Sequence, residues 1–280
     1  MIEDLSQLLT VVVPVKNDAS NLDGCLDLIS DFKHVVVVDS NSTDQTPEIV
    51  RQHGRELVNF SWNGKFPKKR NWILSRYSFK TPWVLFMDAD ERMTDAWRQE
   101  AERVLSTMSC DALICFYDNW FMGRMLRHGD VMRKTAVLRV GAGAYERIDE
   151  HEWSNLDMEI HEHLQVDGAV GEIKARLEHH DKRSLASYYA KHDEYAKWEC
   201  NRFLALRHGC GKLTRRQKIK YGLISRWWFG LAYFLVCYFF KCGFLDGRAG
   251  FVFAFGKMKY FQNIRQKILQ AERRDRDVCP

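Results

Sequence analysis

Three unbroken apolar runs, at 8–15, 35–38 and 83–87, constrain the fold of this chain more than any other feature. They are rich in valine and other bulky residues and do not alternate with polar ones, as in strands covered on both faces. Between the first two, Leu22, Cys25, Leu26 and Ile29 recur at helical spacing. Further helices are expected at 47–53 and 67–77, with a weaker strand at 57–60. Strand and helix alternate, so the expectation is an α/β fold with a mostly parallel sheet flanked by helices. In such sheets ligands gather at the carboxyl ends of the strands.

Two acidic positions occupy those ends. The second run stops at Asp39, and the third leads into Asp88-Ala89-Asp90. Side chains at i and i+2 share a face where the backbone stays extended. Two carboxylates held together repel unless a cation lies between them. Mg²⁺ and Mn²⁺ take carboxylate oxygens and keep positions open for phosphate. The triplet therefore reads as a metal site for a phosphorylated ligand, or, more plainly, as an acidic introduction to a helix at 94–108. Neither G-x-G-x-x-G nor G-x-x-x-x-G-K-[ST] follows the first strand, so dinucleotide fingerprint and P-loop are both absent.

Four ordered segments carry a resemblance: Val11 to Asn17, Val38 to Asp44, Lys68 to Trp72, and Asp88 to Glu91. They resemble the motifs of glycosyltransferase family 2. Later segments, Phe121 to Gly129, Ile160 to Leu164, His179 to Leu185 and Gly243 to Phe251, resemble its bacterial lipopolysaccharide-core and exopolysaccharide β-glucosyltransferases. The resemblance implies a GT-A (Rossmann-like) fold, a UDP-sugar donor, a divalent metal (Mg²⁺ or Mn²⁺) and inversion at the anomeric carbon. It implies Asp39 on the uracil or ribose, Asp88 on the ribose or metal-bound water, and Asp90 on the metal. Pro14, Val15, Asn17, Lys69 and Arg70 join the donor site. His179 or His180 completes the metal or diphosphate site, with His179 the choice for both donor and metal. Lys69 and Arg70 read equally well as a solvated basic helix start, and Asp44 as a helix cap.

An inverting transfer needs one base for the acceptor hydroxyl. Glu162, between His161 and His163, matches the family position, with Glu159 and Glu152 as alternatives. The implied function is transfer of a hexose, glucose from UDP-glucose, onto a lipid-linked or lipopolysaccharide/exopolysaccharide glycan. The alternatives are a UDP-N-acetylhexosamine transferase, or a noncatalytic nucleotide-sugar-binding or membrane scaffold protein.

The expected organisation is a catalytic domain at 1–183, with a donor half to about 118 and an acceptor half at 119–183. A helical, amphipathic, membrane-associating region follows at 184–280. The net charge of +5 is concentrated there: Arg207, Lys212, Arg215, Arg216, Lys218, Lys220 and Arg226 precede an aromatic run at 227–240. That run is shorter than the ~20 apolar residues of a full span. Basic residues beside aromatic segments suit anionic lipids. No nucleic-acid-binding motif accompanies the charge. The eight cysteines form no C-x-x-C pair, and the first residues are acidic where a leader needs Lys or Arg. The expected location is cytoplasmic, peripheral on the inner face of a bacterial inner membrane.

Overall fold

The computed structural model describes residues 4–150, 152–159, 162–181, 184–207 and 213–278 of the protein. His161, Lys212, Cys210 and Cys279 lie outside the described residues. The strands are β1 (Leu9–Val15), β2 (Val35–Asp39), β3 (Glu56–Asn59), β4 (Trp83–Phe86), β5 (Glu91–Arg92) and β6 (Ala112–Phe121). After them come β7 (Arg124–Leu126), β8 (Met132–Arg139), β9 (Gly143–Tyr145), β10 (Leu164–Val166) and β11 (Val170–His180). The helices are α1 (Leu5–Leu8), α2 (Ala19–Leu28), α3 (Thr46–Gln52), α4 (Lys69–Arg76) and α5 (Asp95–Thr107). Four more follow: α6 (Leu185–Arg207), α7 (Arg215–Leu223), α8 (Phe229–Leu235) and α9 (Gly247–Val278). The chain divides into two compact units. The first holds Met1–Trp120, Val131–Ile148 and Asn155–His180; the second holds Phe121–Asp130, Asp149–Ser154 and Asp181–Pro280.

In the first unit the sheet order is β3-β2-β1-β4-β8-β6-β11-β5. The three apolar runs form its parallel half: β1 pairs in parallel with β2 and β4, and β2 with β3. Beyond β4 the sheet is mixed. There β8 runs antiparallel to both neighbours, β6 and β11 are parallel, and β5 closes the edge antiparallel to β11. The α/β sheet flanked by helices is thus as expected, with parallel pairing confined mainly to the N-terminal half. Strand alternation divides the core. Val11, Val13 and Val37 face one apolar cluster with Leu22 and Leu26 of α2 and Trp97 and Val104 of α5. Val12, Val36, Val38, Val84 and Phe86 face another with Ile73 of α4. Thr94 caps α5 by accepting from Trp97 N, so the acidic triplet does not introduce that helix.

Apart from β7, the second unit is helical. Ala196, Cys200 and Phe203 of α6 pack with Ile264 and Ile268 of α9 and with Ile224. Helix α8 continues into a π-helical turn, Val236–Phe240, and a 3-10 turn, Gly243–Asp246, before α9. Two of the resembling segments meet here. The buried Asp246 carboxylate accepts from the backbone N–H groups of Arg127 and His128, at 3.2 and 2.9 Å. Among the described residues no single helix is long and apolar enough to cross a membrane. The described cysteines are free thiols, five of them buried and Cys242 partly so.

Candidate active site

The loops leaving β1 and β2 are stitched together at the carboxyl end of the sheet. Parallel register sets Pro14 beside Val38 and Val15 beside Asp39. Asp39 is buried and accepts from Ser42 N at 3.0 Å and from the Ser42 hydroxyl at 2.5 Å. The same hydroxyl oxygen accepts from Asn17 N at 2.7 Å, and Asn17 Oδ1 accepts from Thr43 N at 2.7 Å. Asn17 makes this turn at φ 52°, a conformation Asn tolerates better than most residues. Asp44 accepts from Thr46 N and Ala19 N, so it ties the start of α3 to the start of α2, while the N-cap position of α3 itself is Gln45.

The segment 68–71 is buried, which excludes a solvated basic helix start. Lys69 Nζ donates to Val15 O at 2.8 Å, and burial pushes its ammonium down to about 8 against the pull of Asp157 and Asp39. Lys68, at the N-cap of α4, gives no side-chain cap. Glu159 supplies one from 89 residues away: its two oxygens accept from Arg70 N and Asn71 N, at 2.8 and 3.0 Å. That uses the helix N-terminus as an anion site, and it commits Glu159 to holding α4. Asn71 exchanges hydrogen bonds with the backbone of Tyr145, so it packs α4 against β9. Lys68 Nζ donates to Glu162 Oε1 at 2.8 Å, and both side chains are buried. A carboxylate so placed needs a paired cation, and Lys68 provides it.

Asp88-Ala89-Asp90 forms a turn, with Glu91 N donating to Asp88 O at 2.9 Å, rather than an extended strand end. The two carboxylates therefore have different partners. Asp88 Oδ1 accepts from Arg70 Nη2 at 2.8 Å, and Oδ2 from Lys134 Nζ at 2.9 Å. Burial would raise the Asp88 carboxyl, yet Lys134 and Arg70 hold it well below the usual carboxylate range. Lys134 also reaches Glu91 Oε1 at 2.5 Å, and burial pushes the Glu91 carboxyl up to about 7. Asp90 Oδ2 lies 3.5 Å from His179 Nε2. Burial opposes a charged imidazole there, but the hydrogen bond and charge of Asp90 raise it above its ordinary value.

Strand pairing explains this meeting. In the β5–β11 ladder His179 stands opposite Glu91, and His180 N donates to Asp90 O at 2.8 Å. Consecutive strand residues face opposite sides, so one of the two histidines reaches the acid. His179 does. His180 stacks on Trp120, ring centroids 5.1 Å apart, and contacts Glu178 at 2.7 Å.

The donors fit a divalent ion. His179 Nδ1 bonds Asn119 Oδ1 at 2.9 Å, which leaves Nε2, the nitrogen nearest Asp90, to coordinate. Among the described residues no group of three or more His, Cys, Asp or Glu forms a metal cage. An ion held by Asp90 and His179 would thus keep positions for water and phosphate oxygens, the habit of Mg²⁺ sites. Lys134 was missing from the sequence reading. Its one signal was a lysine within an otherwise ordinary strand, 46 residues from its partner.

The Glycosyl transferase family 2 profile matches residues 10–150, half of the chain, from β1 through the acidic triplet and β9. An uncharacterized glycosyltransferase of Rickettsia bellii is 23% identical, covering 96% of this chain and 90% of its own length. The lipopolysaccharide core biosynthesis glycosyltransferase LpsC of Rhizobium meliloti is 23% identical, covering 88% and 89%. The crystal structure of glucosyl-3-phosphoglycerate synthase from Mycobacterium tuberculosis is 22% identical with a TM-score of 0.33; that match covers 40% of this chain and 44% of that one. With the profile spanning the parallel half-sheet and its acidic rim, the chain belongs to glycosyl transferase family 2.

Proposed function

We propose that the protein transfers glucose from UDP-glucose, with inversion, to a membrane-borne bacterial glycan of the lipopolysaccharide or exopolysaccharide class. The observation that carries the reading is the pairing of Asp90 with His179 beside an Asp88 already neutralised by Arg70 and Lys134. A divalent ion held by Asp90 and His179 would offset the charge of the departing diphosphate. Asp39, with the Pro14–Asn17 turn, borders the nucleoside, and Lys69 and Arg70 add positive charge to the donor side. Glu162 removes the proton from the acceptor hydroxyl as that oxygen attacks the anomeric carbon. The bond from this carbon to the diphosphate oxygen breaks, and UDP leaves. Lys68 holds the Glu162 carboxylate in place. The sequence resemblance supports UDP-glucose, and the name of the Rhizobium relative supports the glycan class. The enzyme works on the cytoplasmic face of the inner membrane, its second unit against anionic lipid.

The test is turnover of labelled UDP-glucose, UDP-galactose and UDP-N-acetylglucosamine with Mn²⁺ and delipidated or intact core acceptors. Transfer from UDP-glucose is expected to dominate. Preference for the N-acetylhexosamine donor would overturn the sugar, and donor binding without any turnover would overturn the activity.

A further inference from the structure

The second unit reverses the patterning of a water-soluble helical core between residues 227 and 251. Three of the four glycines in this stretch face inward. A Cβ on Gly230 would lie 2.9 Å from Met258 O, one on Gly243 would lie 2.7 Å from Cys237 O, and one on Gly250 would collide with the Gly243 carbonyl. Backbones therefore meet where side chains normally interdigitate, as they do between helices in lipid. The bulky apolar groups are turned outward instead. Phe240 is 83% exposed, Trp227 71%, Leu245 58% and Phe239 53%, and Phe244 and Phe251 are exposed with them. The most exposed of these, Phe240, sits at the bend, where Phe229–Phe240 and Gly243–Arg274 meet at 75°. A π-helical turn ends there, a feature often found at functional places in helices.

Charge identifies what covers this surface. From 213 to 262 the sequence has nine lysines and arginines and a single acid, Asp246. That acid is buried and holds the backbone of Arg127 and His128. Arg215, Arg216, Lys218, Arg226, Lys241 and Arg248 are exposed. The outward face of this segment is thus apolar and cationic, with no exposed carboxylate among its described residues. Water leaves so large an apolar patch uncovered only at a cost, and a protein surface of mixed charge would not match it. An anionic bilayer matches both properties.

We propose that residues 227–251 form a wedge that enters one leaflet of an anionic membrane, led by Phe239, Phe240, Phe244 and Leu245, without crossing it. This deepens the reading that the acceptor is membrane-borne and rests on that reading only for its purpose, since lipid binding is measurable without turnover. The exposed cations lie against the headgroups while the aromatic bend displaces acyl chains.

The experiment is flotation of the full chain with phosphatidylcholine vesicles, with and without phosphatidylglycerol, at low and high salt. One variant carries Phe239→Ser, Phe240→Ser and Leu245→Ser; another carries Arg215→Gln, Arg216→Gln and Lys218→Gln. The wild type is expected to float with the anionic vesicles. The apolar variant should bind on the order of a hundredfold more weakly at either salt. The charge variant should lose about fivefold per cation removed at low salt and much less at high salt. Unchanged circular dichroism and thermal midpoint in both variants would show that the fold is intact. Equal binding by the apolar variant, or no wild-type binding to anionic vesicles, would overturn the wedge. So would a lipid-free dimer that the apolar variant abolishes, which would assign the face to a second copy of the chain. Vesicle binding with transfer only to soluble glycans would keep the wedge and overturn the acceptor reading.

Discussion

In the first unit Val84, Leu85 and Phe86 are buried in the sheet, and Lys68, Lys69, Arg70 and Glu91 are buried at its rim. In the second unit Phe239, Phe240 and Leu245 are exposed while Gly230, Gly243 and Gly250 lie at close backbone contacts. The difference teaches where each unit does its work. Buried charges are costly unless paired, so a rim that keeps three basic side chains and several acids paired has a purpose for strong fields. Exposed aromatic groups are costly unless covered, so a helical bend that keeps them outward has a purpose for a surface. On the reading proposed above, one region concentrates charge for a small anionic ligand, and the other concentrates apolar area for a lipid surface.

The largest expected effect sharpens the first half of this comparison. Glu162→Gln keeps the shape and removes the proton acceptor, so transfer should fall about 10²–10⁴-fold while UDP affinity holds. Steady-state kinetics beside calorimetric UDP binding checks it. Lost UDP affinity would reassign Glu162 to the donor site, and normal transfer would move the base to another carboxylate.

The second prediction sets the two units directly against each other. Leu85→Ala opens a cavity in the sheet core and should cost about 2–5 kcal/mol, while Leu245→Ala should change stability by no more than about 0.5 kcal/mol. Urea unfolding of both variants gives the two numbers. Equal losses would mean that the exposed leucine is covered by protein in solution, and the contrast between the units would collapse.

A smaller effect concerns Lys134. Lys134→Met leaves Glu91 buried without its cation and Asp88 with Arg70 alone, a loss on the order of 3 kcal/mol. Adding Glu91→Gln should recover most of it, because the second change removes the buried acid left without its partner. Additive losses in that cycle would show that the two residues do not act as a pair.

The sequence made the parallel half-sheet legible because β1, β2 and β4 are continuous apolar runs, each with one reading. The mixed half was harder. Strand β11 alternates polar and apolar residues, and β8 carries Arg133 and Lys134, so neither announces a place in a central sheet. Asp39 was legible as a strand-end residue, whereas the individual roles of Asp90 and His179 stood out only through the resemblance to a known family. Lys134 and the capping role of Glu159 were not, since each acts on a partner far away in sequence and neither lies in a motif. The pairing of Asp88 with Arg70 and Lys134 also escaped the sequence, because a turn at Ala89 breaks the extended geometry that would have aligned Asp88 with Asp90. The alternation of His179 and His180 on a strand, by contrast, was enough in principle to say that one of them faces away.

The claim on which the account turns is that Asp90 and His179 hold the divalent ion through which the donor diphosphate binds. Calorimetric titration of UDP with and without Mn²⁺ tests it most directly, on the wild type, Asp90→Asn and His179→Ala. The account predicts that Mn²⁺ strengthens UDP binding to the wild type at least about tenfold, because the ion offsets the diphosphate charge. Both variants should keep only the metal-independent affinity, with an unchanged thermal midpoint. Equal UDP affinity in Mn²⁺ and in EDTA for the wild type, or a full Mn²⁺ effect in Asp90→Asn, would contradict it.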